Sequence, residues 1–248
     1  MIRNAAGKHA ASIHHNRVLA QDGEVGFTTD VLFDDHAWTV RYLTLQNEDG
    51  LDSHQTLITP QAVSELDRQA RALYVAGDSE SVRQAPRLEA NLPVAAQQEA
   101  AYFEYLGAAP YWSADPAEPV PAHELLPAEA AIPASGDPHL RSAQEVSGYD
   151  IETTDGFKGH VEDLLLDDES WRVRYLVVDP RDWLPAKKVL LPLPAVSEIR
   201  WGPQQVSVNV AASELKEAPT WEPEAPLDRD YETRVHEHYG ETPYWVHE

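Results

Sequence analysis

The stretch that decides the fold is Asp155–Val178, which reads DGFKGHVEDLLLDDESWRVRYLVV. Its Asp-Gly pair predicts a tight hairpin turn. A second turn is predicted at the acidic segment DDES, between two extended runs. The second run alternates with a period of two, so Trp171, Val173, Tyr175 and Val177 are expected on one face of a strand. Turns this frequent between short apolar runs favour a small antiparallel β domain.

The same pattern occurs earlier in the chain: Asp22–Leu43 aligns with Asp155–Leu176 at a constant offset of 133 residues (155 − 22). Val40–Leu43 and Val173–Leu176 both read Val-Arg-Tyr-Leu. Further along, the same offset relates Pro110–Trp112 to Pro243–Trp245, both of which read Pro-Tyr-Trp. Because chance does not hold one offset over such a length, the chain is predicted to be a duplication.

A proline-rich segment separates the two copies. The segment from Ser113 to Pro138 contains six prolines, counting Pro138, among alanines and acidic residues. This composition predicts an extended, semi-rigid spacer. We therefore expect a first, more divergent repeat at 1–113, a Pro/Ala-rich acidic linker at 114–139 and a second repeat at 140–248.

A helix is predicted after each β region. In the second repeat, Asp228 can cap its start, and Tyr231, Val235 and Tyr239 are spaced at i, i+4 and i+8. Gly240 suits the C-terminal stop. The first repeat has Gln98, Tyr102, Leu106 and Gly107 at the corresponding positions.

The segment Gly148–Trp201 resembles the PRC-barrel domain family. It contains an Asp-Gly turn, a Gly-x-Val-x-Asp strand, an acidic turn, Trp-x-Val-Arg-Tyr-Leu-Val-Val and a Val-Leu-Leu-Pro strand. The tail at Pro226–Trp245 is similar to the C-terminal extension of bacterial members. The resemblance implies a small β-barrel, like the cytoplasmic domain of the photosynthetic reaction centre H subunit, and docking onto a larger assembly rather than catalysis. The expected fold is mainly β: two small antiparallel PRC-type barrels, each followed by a helical arm, in a pseudo-two-fold tandem.

Composition narrows the class of partner. The 248 residues include 42 acidic and 19 basic side chains, a net charge of −23, which disfavours nucleic acid and anionic lipid as partners. No apolar run is long enough to span a bilayer, and the start of the chain lacks the apolar core of a secretory signal, so we expect a cytoplasmic protein. There is no cysteine, which excludes disulfides and thiolate chemistry.

One set of candidate residues is charged and recurs in both copies. Asp30 with Arg41, and Asp163 with Arg174, are predicted on adjacent strands. We interpret them as structural ion pairs that fix strand register, and the alternative is a polar site in the barrel wall.

A second set is aromatic. Trp183 and Leu184 lie in a predicted loop that is specific to the second copy, where an exposed Trp-Leu pair would suit a protein partner. The two Pro-Tyr-Trp segments are further partner-binding candidates, through Tyr111, Trp112, Tyr244 and Trp245. The alternative for all of these residues is that they pack against the chain's own β domains.

No metal or cofactor is expected. The acidic turns Asp34-Asp35 and Asp167-Asp168 lack the spacing of a calcium loop, so they are interpreted as solvated turns. His236 and His238 are two residues apart, which points them to different sides of a helix. A site in this His-rich tail is chemically conceivable but not favoured.

The sequence also contains no known catalytic motif, so we expect a non-catalytic adaptor or scaffold with a protein partner of unknown identity. The two copies can pack as an intrachain pseudo-dimer, and the alternative is a homo-oligomer of the chain. The alternative is a small-molecule or metal-responsive module connected with stress. A photosynthetic role is less favoured, because the membrane-spanning helix of the H subunit is absent.

Overall fold

The computed structural model describes residues 2–4, 15–47, 55–67, 69–85, 87–88, 140–156, 158–180, 187–200, 202–222 and 227–246. Within these ranges the protein is mainly β: sixteen strands join one mixed hydrogen-bonded sheet, and the helices are few and short. Among the same residues, no helix is both long enough and apolar enough to cross a membrane.

The N-terminal unit comprises the described residues up to 88. Its strands are β1 (Ile2–Asn4), β2 (Arg17–Ala20), β3 (Gly23–Asp34), β4 (Thr39–Asn47), β5 (Gln55–Ile58), β6 (Val63–Asp67), β7 (Ala72–Val75) and β8 (Arg87–Leu88). A 3₁₀ turn spans Pro60–Ala62, and helix α1 spans Ser79–Arg83. Asp78 caps α1 by accepting a hydrogen bond from the Ser81 backbone N–H at 2.8 Å.

The C-terminal unit comprises the described residues from 140 onward. Its strands are β9 (Leu140–Ser142), β10 (Asp150–Glu152), β11 (Lys158–Asp167), β12 (Arg172–Asp179), β13 (Lys188–Pro192), β14 (Val196–Arg200), β15 (Gln205–Val208) and β16 (Thr220–Trp221). Its helices are α2 (Ala143–Val146), α3 (Ala212–Glu217) and α4 (Arg229–Tyr239), with 3₁₀ turns at Leu193–Ala195 and Tyr244–Val246.

The two units have the same strand pairing in the same register, displaced by 133 residues. Arg17 pairs with Ala72 in the parallel pair β2–β7, and Asp150 pairs with Gln205 in the parallel pair β10–β15. The hairpins β3–β4 and β11–β12 share two irregularities at equivalent positions as well. The repeat in the sequence is therefore also a repeat of backbone structure.

The units are joined by a reciprocal contact between their long hairpins. The Val40 N–H donates to the Trp171 carbonyl at 2.8 Å, and the Val173 N–H donates to the Trp38 carbonyl at 2.8 Å. Each hydrogen bond maps onto the other under the 133-residue offset, which is the signature of an isologous, two-fold contact. Both tryptophans have a left-handed backbone, with φ of 52° and 53°, an uncommon conformation for a bulky residue.

Strands at the start of each unit cross to the other unit. Strand β9 pairs antiparallel with β3, and Ser142 lies opposite Leu32. Strand β1 pairs parallel with β11, and Ile2 lies opposite Leu164. Each long strand, β3 and β11, therefore has a neighbour contributed by the other unit.

The expected pair of closed antiparallel barrels needs correction. In the C-terminal unit the strands follow the order β14-β15-β10-β11-β12-β13-β16, and no pairing within the described residues closes this path. The sheet is also mixed, because β2–β7, β10–β15 and β1–β11 are parallel. Parallel pairs join strands that are distant in sequence, so local turn signals do not reveal them.

The expected alternation along β12 also needs correction. Leu165 pairs with Tyr175 but Leu166 pairs with Val173, so Arg174 is the extra residue of a β-bulge. The bulge shifts the phase of the strand: Val173 joins Leu176 in the inner core, whereas Tyr175 faces a second apolar cluster. In strand β4, Arg41 occupies the equivalent bulge.

The main core runs through both units. Fully buried residues from the N-terminal hairpin, such as Leu43 and Leu45, belong to the same cluster as Leu164 and Leu176 from the C-terminal hairpin. Trp38 and Trp171, at the junction, pack against it. One continuous core means that the two units bury apolar surface jointly.

Candidate functional site

The candidate site is built around helix α4, which begins and ends as the sequence predicts. The Asp228 carboxylate accepts a hydrogen bond from the Tyr231 N–H at 2.7 Å at its start. Gly240 follows its last residue with φ of 67°, the left-handed conformation that ends a helix. The predicted helix over this segment is confirmed. The corresponding segment of the first repeat lies outside the described residues.

Helix α4 covers an apolar cluster on the outer face of the C-terminal sheet. The buried members of the cluster are Leu165, Tyr175, Val177, Leu190, Trp221, Leu227 and Val235. Val235 is the contribution of the helix and is fully buried. Burial of an aliphatic side chain of this size stabilises the docked helix by about 2 kcal/mol.

A polar group of side chains lies at the centre of this apolar contact. Glu232 and His236, one turn apart on α4, are each only 2% exposed. The Tyr175 hydroxyl from β12 lies 3.1 Å from Glu232 Oε1, to which it donates, and 3.0 Å from His236 Nε2. The Tyr244 hydroxyl donates to the same Glu232 oxygen at 2.9 Å. We call Tyr175, Glu232, His236 and Tyr244 the buried polar cluster.

Two arginines lie at the edge of the cluster. Arg229 approaches Glu232 Oε2 with an N···O distance of 3.3 Å, and its guanidinium stacks over the Trp245 ring at 4.0 Å. The Arg174 guanidinium stacks over the Tyr244 ring at 3.9 Å. The two stacking contacts are cation–π interactions, and they hold the 3₁₀ turn Tyr244–Val246 against the cluster.

Burial shifts the protonation equilibria of the cluster. It raises the pKa of Glu232 above its ordinary value, although hydrogen bonds from Tyr244 and the charge of Arg229 offset part of that effect. Burial, with a smaller effect from the Arg229 charge, lowers the pKa of His236 to about 4. It also raises the pKa of Tyr175, and the Glu232 carboxylate raises that pKa further. At neutral pH the His236 imidazole and the Tyr175 phenol are therefore uncharged.

The aromatic residues proposed from the sequence lie in different places. Tyr244 and Trp245 pack on their own unit: the Tyr244 ring lies against Tyr175, and the Trp245 ring meets His236 edge-on at 5.4 Å. Trp245 stays partly exposed, and its role in partner binding stays a prediction. Trp183, Leu184, Tyr111 and Trp112 lie outside the described residues.

The predicted ion pairs have the wrong partners. Arg41 pairs with Asp34 at 2.7 Å rather than with Asp30. In the C-terminal unit, Arg174 pairs with Asp167 at 3.0 Å. The physical reason is the bulge at each arginine, which turns the guanidinium toward the hairpin end.

The two aspartates expected in these pairs lie earlier in their strands, further from the hairpin ends. Asp30 lies opposite Thr44, and it accepts hydrogen bonds from the Ser142 hydroxyl and from the Gln144 N–H at 3.0 Å, both of the other unit. Asp163 is 4% exposed, and its Oδ1 accepts from the Leu164 N–H at 2.8 Å. The Asp30 contacts help hold the two units together.

The first acidic turn is more buried than the sequence suggests. Asp34 is 8% exposed; burial alone would raise its pKa, but hydrogen bonds from Ala37 and Arg41 outweigh that effect and hold the pKa below its usual value. Asp35 pairs with Arg141 of the other unit at 2.7 Å. No group of three or more His, Asp or Glu side chains in the described residues is arranged to hold a metal ion.

His236 and His238 do point in different directions, as their spacing predicts. His236 faces Tyr175, whereas His238 Nε2 lies 2.7 Å from the Glu214 carbonyl. Sequence reasoning missed the importance of Glu232 and His236 to the fold. Their i, i+4 spacing, on the flank of the apolar stripe Tyr231–Val235–Tyr239, is the signal that could have indicated it.

Comparison with known families gives a match to part of the chain. Residues 138–215 match the PRC-barrel domain, a segment that runs from before β9 into helix α3. The match does not extend to the N-terminal unit or to helix α4. No curated protein matches the chain.

Proposed function

We propose that the chain is a tandem of two PRC-type domains that acts in the cytoplasm as a non-catalytic, protein-binding adaptor or scaffold. The family match covers most of the sheet of the C-terminal unit. The identical register of the N-terminal unit, at an offset of 133 residues, supports extending the assignment to both copies.

The reciprocal junction is the observation that carries the proposal. The paired Val40–Trp171 and Val173–Trp38 hydrogen bonds, together with a core shared by both units, hold two related units in one body. Such a body presents two similar surfaces in a fixed relation, which suits a scaffold that holds two sites of one assembly.

A ligand-responsive module is the second candidate, and the buried polar cluster favours it. A buried Glu, His and Tyr set is costly to maintain and frequently occurs at functional sites. A thermal-shift screen of the full chain with divalent metals and common metabolites tests this candidate, because a ligand that binds only the folded state raises Tm. A flat screen would count against it.

The adaptor proposal is tested by capture from the native host with matched variants. The tagged full chain, Trp183→Ala and a Trp112→Ala/Trp245→Ala double variant are compared, with Tyr74→Ala as the control. Tyr74 is an exposed aromatic residue of β7, 37% exposed, outside the proposed surfaces. Any captured protein is then purified, and its Kd for each variant is measured.

We expect one stoichiometric partner whose Kd weakens about tenfold or more in one Trp variant, as for a hot-spot aromatic, and is unchanged in Tyr74→Ala. Loss of binding in the control as well would indicate nonspecific adhesion. If no partner is recovered even after cross-linking, the adaptor proposal is wrong.

A further inference from the structure

The buried polar cluster contains one atom that its hydrogen bonds leave unsatisfied. His236 Nδ1 is buried and has no hydrogen-bond partner in the part of the chain that the structure describes. The other ring nitrogen, Nε2, contacts Tyr175. A buried polar atom without a partner is uncommon and costs stability, so it calls for a physical account.

Counting protons in the cluster fixes the state of the imidazole. Tyr175 has one hydroxyl proton, and while Glu232 is ionised this proton is donated to its carboxylate. His236 Nε2 must then carry a proton and donate it to the Tyr175 oxygen. Nδ1 is left as a bare lone pair, so it is the only site at which the imidazole can take up another proton.

The surroundings disfavour a positive charge at that site. Helix α4 contributes Glu232 within the cluster and Arg229 at its edge. Burial, and to a smaller extent the Arg229 charge, lowers the pKa of His236. Strand β12 contributes Tyr175 and Arg174, and the 3₁₀ turn contributes the Tyr244 hydroxyl.

Strand β13, against which the helix also packs, contributes Lys188 as its charged residue, and Lys188 is paired with Glu162. Glu232 is the one carboxylate within the cluster, and Arg229 already engages it.

We propose that His236 is an acid-sensitive latch: protonation at Nδ1 undocks helix α4 and the following turn Tyr244–Val246 from the outer face of the sheet. Undocking uncovers the apolar cluster that contains Leu165, Tyr175 and Leu190. Since both the latch and the surface it covers belong to one unit, the device needs no partner, and its failure would leave the proposed function untouched.

The direction of the pH dependence follows from linkage. The pKa of His236 is lowered from 6.5 to about 4, so its contribution to docking is fully present above pH 6.5 and is lost as pH falls toward 4. Glu232 acts in the opposite sense, because its raised pKa gives a contribution that is present at low pH and lost as pH rises. Titration of Glu232 therefore makes the pH dependence of helix docking smaller than His236 alone would give, but His236 determines its direction.

Hydrogen exchange of the full chain at pH 7.5 and pH 5.0 tests the latch. After correction for intrinsic exchange, the opening constant of the α4 amides should rise by about 5- to 30-fold at pH 5.0, the upper figure being the effect of His236 alone. The amides of β3 and β4, whose side chains contribute to the main core of the N-terminal unit, should not change. Glu232→Gln removes the opposing titration and should steepen the response of α4.

The key variant is His236→Phe. Phenylalanine is the residue of the first repeat at this position, Phe103, under the 133-residue offset. The variant should keep α4 docked and abolish its pH response. His238→Gln is the matched control, because His238 lies on the same helix but directs its Nε2 to the Glu214 carbonyl, away from the buried polar cluster. The control should respond like the wild type.

Two results would overturn the latch. One is an α4 response that persists in His236→Phe, since some other group would then be titrating. The other is an imidazole titration of His236 in the wild type, followed by NMR, with a midpoint near 6.5 and no accompanying change in α4 exchange. The NMR measurement decides the question even if His236→Phe fails to dock its helix.

Discussion

The two units share a backbone but cover the outer faces of their sheets differently. Leu32, Tyr42 and Leu57 of the N-terminal unit stand at the positions of Leu165, Tyr175 and Leu190 in the C-terminal unit. Among the described residues, the first set packs with Ala85 of its own unit and with Leu140, which belongs to the other unit. The second set is covered by helix α4 of its own unit.

The comparison separates the features that the two units share from the features that differ between them. Strand register and bulges are preserved because each pairing constrains both strands at once. The covering elements are less constrained. Three members of the buried polar cluster, Tyr175, Glu232 and Tyr244, have the same residue type at the equivalent positions of the first copy, whereas His236 does not. Under the offset, Arg229 and His236 correspond to Ala96 and Phe103, whereas Glu232 corresponds to Glu99. The histidine and the arginine are therefore features of the second copy alone.

The largest expected effect concerns the core that the two units share, which predicts that they unfold together. Leu43→Ala and Leu176→Ala remove equivalent, fully buried side chains from one continuous core. Each should lower the free energy of unfolding by about 2–5 kcal/mol. Urea denaturation, followed by circular dichroism and by tryptophan fluorescence, should show one shifted transition in both variants. Two resolved transitions would show that the units do not share a core.

The next largest expected effect concerns the buried polar cluster of the C-terminal unit. Tyr175→Phe removes the hydroxyl that bridges Glu232 and His236, and leaves both buried groups short of a partner. We expect a loss of about 1–3 kcal/mol in the free energy of unfolding. Tyr231 lies on the same helix as Glu232 and His236, and its hydroxyl donates one hydrogen bond to the Pro219 carbonyl, outside the helix. Tyr231→Phe should therefore cost less. If both variants lost the same free energy of unfolding, the cluster would stabilise the unit no more than an ordinary hydrogen bond of the helix does.

The contact between the units predicts a smaller effect. Arg141→Ala removes the pair with Asp35, whose side chains are 16% and 9% exposed, and should cost about 1 kcal/mol. Arg17→Ala, which breaks the more exposed pair with Glu24, should change stability by less than about 0.5 kcal/mol. Denaturation at low and high salt measures both. If Arg17→Ala proves the more damaging, the pair between the units is not a significant part of the junction.

Local patterns in the sequence predict the elements of this fold well. The Asp-Gly turn and the period-two runs place strands β10 to β12 close to their observed bounds, because turn chemistry and alternation act over a few residues. The cap and stop of α4 are equally local. The family resemblance of the second repeat is confirmed over residues 138–215.

Contacts between distant residues are what the sequence does not reveal. The bulges at Arg41 and Arg174 redirect both arginines, and no residue pattern marks an inserted position in a strand. Tyr175 meets Glu232 and His236 across 57 and 61 residues, so their contact depends on where the helix docks. The exchange of β1 and β9 between the units is of the same kind.

The reciprocal junction lies within one chain, so the contact between the units does not depend on protein concentration. Two separate chains joined by the same pair of Trp38 and Trp171 contacts would part when their concentration fell below their dissociation constant. In this protein one polypeptide connects the partners, so each meets the other at an effective concentration that can be on the order of millimolar, whatever the expression level. A dimer of identical chains must also change both sides of its interface together. In this chain, one side can change alone.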